Sequence, residues 1–189
     1  MNTVAGLLAR IVSLLDECEI DHMLTGSFVS TFYGEPRATQ DIDLVIAIRT
    51  NEAQALRRFV DRAESMGLYV ARAAALGPAI GRRQFNVISP IGWKVDLMVR
   101  KDRPFSRSEF ERRLRRSVLG VDIDIASAED IVLAKLEWGG TIESRQFADV
   151  VGVLGVLAEV DDAYLDRWAS ELGLAPLLAE ARRQAGRKP

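Results

Sequence analysis

The pattern of apolar and polar positions divides the chain into a first part that mixes helices and strands and a second part that is helical. Apolar residues at helical spacing predict a first helix from about Thr3 to Glu17. Further helices are predicted over 27–32, 51–67 and 106–113, and strands over 20–25, 41–48, 68–74, 84–89, 93–99 and 118–125. From Ser127 onward every periodic segment is helical, with predicted helices to Gly139 and over 142–157, 164–172 and 175–183.

Two short segments carry the chemistry of the first part. Gly26 and Ser27 follow a short apolar run, and a tight turn at a helix start can direct backbone N–H groups at a phosphate. Fourteen residues after Ser27, Asp41 and Asp43 open a predicted strand. Alternate side chains of a strand share a face, so these two carboxylates point the same way. Each segment alone also fits a plain helix cap or a solvated strand edge.

A third aspartate, Asp96, lies inside another apolar strand, where aspartate is disfavoured. Neighbouring carboxylates repel each other unless a cation lies between them, and hard oxygen ligands suit magnesium. We therefore predict that Asp41, Asp43 and Asp96 are catalytic and bind metal, with two Mg²⁺ ions supporting an in-line displacement at phosphorus. In this scheme Asp96 accepts the proton of the attacking hydroxyl.

Composition bounds these possibilities without choosing among them. The 189 residues are 48% hydrophobic and 28% charged, with a formal net charge of −2, which is typical of a globular protein. Cys18 is the single cysteine, so an intramolecular disulfide is excluded, and we predict a buried thiol. No apolar stretch is long enough to span a membrane and no signal peptide is recognisable, so we predict a cytoplasmic protein with no membrane partner.

The run Leu24-Thr25-Gly26-Ser27, the Asp41-Ile42-Asp43-Leu44 segment and the later Asp96 resemble the polymerase-beta-type nucleotidyltransferase superfamily over roughly residues 20 to 100. The resemblance implies an α+β fold, with a mixed-sheet nucleotidyltransferase core flanked by helices over 1–125 and a C-terminal helical domain over 126–189. It also implies a nucleoside triphosphate, such as ATP, as donor, with Gly26 and Ser27 binding the triphosphate.

The second half resembles bacterial nucleotidyltransferases related to the abortive-infection AbiEii toxins. This likeness rests on Ser127 to Asp130, Lys135 to Trp138, Arg145 and Asp149. It implies that Lys135 and Asp149 bind nucleotide, with Arg145 in support. It also implies a toxin–antitoxin or abortive-infection setting, with a cognate toxin or antitoxin as a possible partner.

Several residues keep two interpretations. Arg37 and Thr39 are either loop residues or nucleotide contacts, and we include them among the nucleotide-binding candidates. Lys135 has a surface role as its alternative, and Arg145 with Asp149 fits an intrahelical ion pair at spacing i, i+4.

The remaining candidates have a structural interpretation that we favour. His22 has no second histidine with which to form a site, and Trp138 and Trp168 fit core packing better than base stacking. The basic run 112–116 fits a solvated helix face, with a nucleic-acid contact as its alternative.

The sequence thus predicts a magnesium-dependent nucleotidyltransferase that transfers a nucleoside monophosphate to a hydroxyl acceptor on RNA, tRNA or protein. Two rivals remain. In one, the fold is catalytically weak and acts as a partner-binding component. In the other, the acceptor is a small molecule such as an antibiotic.

Overall fold

A computed structural model of the chain describes residues 3–35, 38–39, 41–48, 53–77 and 84–187. Within these ranges the elements follow the predicted order, mixed α/β first and helical afterwards. They are α1 (Val4–Glu17), β1 (Asp21–Thr25), α2 (Gly26–Tyr33), β2 (Asp41–Ala47), α3 (Ala53–Ser65), β3 (Tyr69–Val70), α4 (Arg72–Leu76), β4 (Gln84–Ile88), β5 (Lys94–Val99), α5 (Pro104–Glu111), β6 (Leu114–Val118), β7 (Val121–Ile125), α6 (Ala128–Gly139), α7 (Arg145–Val156), α8 (Asp162–Glu171) and α9 (Ala175–Gln184).

The described strands form one mixed sheet in the order β3-β4-β5-β2-β1-β7-β6. The pairs β2–β5 and β1–β7 are parallel, and the other four neighbouring pairs are antiparallel. This mixed sheet with its helices confirms the predicted α+β class.

The central strands alternate between a core face and a more open face. On β2, Ile42, Leu44 and Ile46 are fully buried, whereas Asp41 and Asp43, at the alternate positions, are half-buried. Since side chains alternate along a strand, one face of β2 anchors the sheet while the other presents carboxylates.

Helix α1 forms where its apolar positions recur at helical spacing. The Thr3 hydroxyl caps it by accepting a hydrogen bond from the Gly6 amide, and Leu8, Ile11 and Leu15 are buried. Cys18 is buried as predicted, and this burial raises the pKa of its thiol.

The chain contains two compact units. The first consists of Met1–Thr25 and Thr39–Ile125, and it holds the whole sheet together with α1, α3, α4 and α5. The second consists of Gly26–Ala38 and Ala126–Pro189, and it holds α2 and α6 to α9. Helix α2 packs with α6 and α7 inside the second unit, although it belongs to the first part of the sequence.

Three predictions about local structure are wrong. The segment 68–74 forms only a two-residue strand and then enters α4, because an alanine run favours helix. The strand predicted over 118–125 is too long at its start: β7 begins at Val121, and the chain turns at Leu119 and Gly120, both with positive φ, after β6 ends at Val118. The basic run predicted as a helix face largely coincides with β6, whose first four residues are exposed.

Helix α6 begins as predicted, with the Ser127 hydroxyl accepting from the Asp130 amide, and its C-terminal cap is Gly140 in the left-handed region. The prediction for Trp138, near the end of α6, is wrong. Its side chain is 75% exposed and so does not pack in a core, whereas Trp168 is buried as predicted. No helix within the described ranges combines the length and apolar character that crossing a membrane requires.

Candidate active site

Four polar side chains stand in one row across the middle of the sheet. Thr25 at the end of β1 is in register with Asp43 on β2, and Asp43 is in register with Asp96 on β5. Asp96 is in turn in register with Asn86 on β4. Residues in register on neighbouring strands share a face, so the pairing brings Asp43 and Asp96 side by side, as the sequence predicts for adjacent strands.

A second cross-strand pair lies two residues earlier along the same strands. Asp41 on β2 is in register with Lys94 on β5. The Lys94 ammonium lies 2.9 Å from Asp96 Oδ2 and 3.3 Å from Asp41 Oδ2. One cation thus bridges two of the three predicted catalytic carboxylates.

Both oxygens of Asp96 have protein partners. Asn86 donates a side-chain hydrogen bond to Oδ1, and Lys94 approaches Oδ2. The Asp96 side chain is only 7% exposed, whereas that of Asp41 is 49% exposed. A buried carboxylate needs such partners because desolvation disfavours its charged form. Asn86 and Lys94 therefore fix the orientation of Asp96.

The Lys94 ammonium is held in its charged form by these carboxylates. The hydrogen bond with Asp96 raises the pKa of Lys94 above its usual range, and the negative charges of Asp96 and Asp41 act in the same direction. Partial burial of Lys94 opposes this rise without cancelling it.

The carboxylate oxygens around Lys94 supply part of the ligands that magnesium needs. No group of three or more histidine, cysteine, aspartate or glutamate side chains among the described residues is placed to hold a metal ion. Asp41 and Asp96 nevertheless offer oxygens that already share one cation. Mg²⁺ is usually bound by one or two carboxylates and completed by water and substrate phosphates, so two such oxygens fit it.

Gly26 and Ser27 belong to the second unit. Gly26 directly follows β1 and has a φ of 67°, a left-handed value that favours glycine where the chain turns from strand to helix. Helix α2 begins at Gly26, so Ser27 lies inside its first turn. The Ser27 carbonyl accepts a hydrogen bond of 3.2 Å from the Ser30 hydroxyl.

The two candidates before Asp41 differ in what the structure describes. Thr39 donates its hydroxyl hydrogen to the Asp41 carbonyl over 3.4 Å, a long contact that steadies the start of β2. Arg37 lies outside the described residues.

Lys135 and Asp149 come together in the second unit. The Lys135 ammonium lies 2.7 Å from Asp149 Oδ2 and donates a 2.7 Å hydrogen bond to Gln146 Oε1. The two charged side chains are 4% and 9% exposed, so the predicted surface alternative for Lys135 is wrong. Asp149 pairs with a lysine on α6, and this contact links α6 with α7.

Sequence reasoning missed Lys94 and Asn86. Lys94 precedes Asp96 by two residues, so strand alternation alone could have placed it on the same face. Asn86 carries no such signal, because its position beside Asp96 depends on the antiparallel pairing of β4 with β5. His22 fits its predicted structural role, with Nδ1 3.0 Å from the Ile20 carbonyl oxygen.

No protein-family model matches the chain, and comparison with curated proteins gives no match. Solved structures do match. One is an antigenic nucleotidyltransferase-like protein from Paracoccidioides brasiliensis, at a TM-score of 0.55 and 17% identity, with 98% of this chain and 94% of that chain covered.

Two further neighbours have names that refer to antibiotic resistance or antibiotic adenylylation. The antibiotic-resistance factor ANT(2'')-Ia matches at a TM-score of 0.59 and 12% identity, with 95% of this chain and 96% of that chain covered. The lincosamide antibiotic adenylyltransferase LnuA, bound to lincomycin, matches at 0.54 and 14% identity, with 82% and 98% covered. At such low identity the likeness concerns architecture, and the chain therefore has the fold of the nucleotidyltransferases.

Proposed function

We propose that this protein is a magnesium-dependent nucleotidyltransferase that uses a nucleoside triphosphate as donor. The observation that carries the proposal is the cross-strand arrangement of Asp41, Asp43 and Asp96. In it, the Lys94 ammonium bridges the carboxylates of Asp41 and Asp96. The fold shared with solved nucleotidyltransferases supports the same activity. When bound, magnesium would polarise the phosphoryl oxygens and offset the charge that develops during transfer.

The chain's own residues would divide the work of the reaction. An acceptor hydroxyl oxygen attacks the α-phosphorus of the triphosphate, the bond from that phosphorus to its bridging oxygen breaks, and pyrophosphate leaves with the bonding electrons. Asp96 takes the proton of the attacking hydroxyl as general base. Asp41 and Asp43 would hold the metal that binds the triphosphate, and Asp96 would help to hold a second ion. Asn86 acts through Asp96 as a positioning residue.

The remaining nucleotide contacts come from the sequence resemblance. In this proposal Gly26 and Ser27 bind the triphosphate, and Arg37 and Thr39 contact phosphate or base. Lys135 and Asp149 are proposed as further nucleotide-binding residues. Their burial against each other equally supports a structural role, and the double substitution Lys135→Met with Asp149→Leu separates the two roles.

A double substitution tests the proposal directly. Asp41→Asn with Asp43→Asn keeps the size of both side chains and removes two formal negative charges. We expect nucleotide transfer to fall at least about a thousandfold, because metal-assisted charge stabilisation contributes several kcal/mol to such reactions. The assay follows label from an α-³²P nucleotide into cell-extract fractions, for each of the four common nucleotides.

The matched control is Asp122→Asn, which removes one exposed carboxylate from β7 in the same unit. It should transfer label at the wild-type rate. Transfer by the double variant at the wild-type rate would overturn the assignment.

Two acceptor classes are separated by where the label appears. Label on tRNA, other RNA or protein supports the proposed toxin–antitoxin or abortive-infection role, to which the AbiEii-like resemblance points. Label on a small molecule supports the second candidate, an antibiotic adenylyltransferase, which the likeness to ANT(2'')-Ia and LnuA favours. Stable association with a co-encoded protein and no transfer to any fraction would favour the partner-binding alternative.

A further inference from the structure

Lys94 lies where a divalent cation of the proposed site would bind. Its ammonium is 2.9 Å from Asp96 Oδ2 and 3.3 Å from Asp41 Oδ2, and these oxygens belong to adjacent, parallel strands. Two carboxylate oxygens cannot present the same lone pairs to an ammonium and to a metal at once. The side chain and a metal therefore exclude each other from this position.

We propose that Lys94 is a built-in counter-ion that occupies the carboxylate pair before metal binds and must leave for metal to enter. This inference rests on the proposed metal-dependent function. Lysine suits such a role because its charge sits at the end of a flexible four-carbon chain and can move away without backbone change. The Lys94 side chain is 35% exposed, so a path to solvent is open.

The charges of the cluster favour this exchange. Asp41, Asp43, Asp96 and Lys94 together carry a formal charge of −2. A single ammonium leaves that excess in place, whereas a divalent ion that displaces it brings the carboxylates closer to neutrality. Metal that arrives with a triphosphate adds phosphate oxygens to its shell, which an ammonium does not require. Because metal must first displace Lys94, the free protein would bind metal more weakly than the same carboxylates would without the lysine.

The first experiment measures binding of Mn²⁺ alone, with free Mn²⁺ quantified by electron paramagnetic resonance. The variants are Lys94→Met, which removes the competing charge, and Lys94→Arg, which keeps it. Lys101→Met is the matched control, because Lys101 is an exposed lysine just beyond β5. We expect Lys94→Met to bind Mn²⁺ at least about tenfold more tightly than wild type. Lys94→Arg and Lys101→Met should remain within about twofold of wild type.

A second measurement needs no variant and so does not depend on how a variant folds. Wild-type protein is acetylated with a limiting amine reagent, with and without saturating Mn²⁺, and Lys94 and Lys101 are compared by mass spectrometry. Release of the Lys94 amine from its carboxylates should increase its labelling at least threefold on metal addition, while Lys101 labelling stays constant.

The outcomes separate this inference from the proposed function. Equal or weaker Mn²⁺ binding by Lys94→Met, or constant Lys94 labelling at metal saturation, would overturn the counter-ion role and leave metal binding intact. Failure of wild type and Lys94→Met alike to bind Mn²⁺, with or without a nucleoside triphosphate, would instead count against the metal-dependent function itself.

Discussion

Two lysines of this protein lie against aspartates, and they differ in how deeply the two pairs are buried. Lys94 in the first unit is 35% exposed and bridges Asp41, which is half exposed, to the buried Asp96. Lys135 in the second unit is 4% exposed and pairs with Asp149, which is 9% exposed. The same pair of functional groups therefore differs in its access to solvent, and we expect the more exposed pair to exchange its partner for another ion more readily.

Loss of the buried lysine should have the largest effect on stability. Lys135→Met leaves the Asp149 carboxylate buried beside an apolar chain, and breaking such a pair by removing one partner costs about 3–5 kcal/mol in the free energy of unfolding. Urea unfolding followed by far-ultraviolet circular dichroism measures this loss. A loss below about 1 kcal/mol would mean that Lys135 is accessible in solution and would strengthen its nucleotide-binding interpretation.

The double variant Lys135→Met with Asp149→Leu is the control for that experiment. It replaces both charges by apolar groups, and such replacement of a buried pair is often close to neutral. We expect it to recover most of the lost stability. Nucleotide affinity like that of wild type in this folded variant would show that the pair is structural, whereas lost affinity would support the predicted nucleotide contacts.

A substitution at Gly139, next to the residues that contact Lys135, should have an intermediate effect on stability. A Cβ atom added at Gly139 would lie 2.5 Å from Ser144 Oγ and 2.9 Å from Gln146 Cβ, and Ser144 caps α7 while Gln146 binds Lys135. Gly139→Ala should therefore lower stability by about 1–2 kcal/mol, since it disturbs a helix cap. The comparison is Gly155→Ala in α7, where a Cβ meets nothing within 4 Å.

Gly155→Ala should raise stability by about 0.5–1 kcal/mol, because glycine inside a helix is less favourable than alanine. Both variants are compared by their midpoints of thermal unfolding. Shifts of the same sign would contradict the close packing described around Gly139.

The smallest effect on stability is expected for Lys94, which contacts Asp41 and Asp96. Lys94→Met should change the free energy of unfolding by about 1 kcal/mol or less. Asp96 is buried but keeps its hydrogen bond from Asn86, and solvent reaches Lys94 and Asp41, where ion pairs contribute little to stability. Denaturant unfolding under the conditions used for Lys135→Met gives a direct comparison. A loss above about 3 kcal/mol would show that Asp96 depends on the ammonium for its burial and would remove the contrast between the two lysines.

The sequence was most informative where a local pattern coincides with burial. Helix α1 and strands β2 and β5 follow their apolar periodicity, and α6 begins at its predicted Ser127 cap. The sequence shows that Asp43 and Asp96 each lie in an apolar strand. That these two strands pair and bring the two acids side by side is visible only in the structure.

The errors arise where an interaction comes from a distant part of the chain or where the pattern is weak. Strand β6 was missed because four of its five residues are exposed, which leaves no alternation to detect. The surface alternative for Lys135 is wrong because its partners Gln146 and Asp149 come from the next helix, which the local sequence around Lys135 does not show. The core placement of Trp138 is inferred from its residue type alone and is wrong, because the residue type does not show whether the end of α6 is covered.

Strand β6 has a consequence for how this protein behaves at high concentration. It is the terminal strand of the sheet, and it carries Arg115 and Arg116 on exposed positions. A free sheet edge invites strand addition by another chain, and charged side chains oppose it, since two copies would bring like charges together. Arg115 and Arg116 of β6 thus oppose edge-to-edge pairing between two copies of the protein.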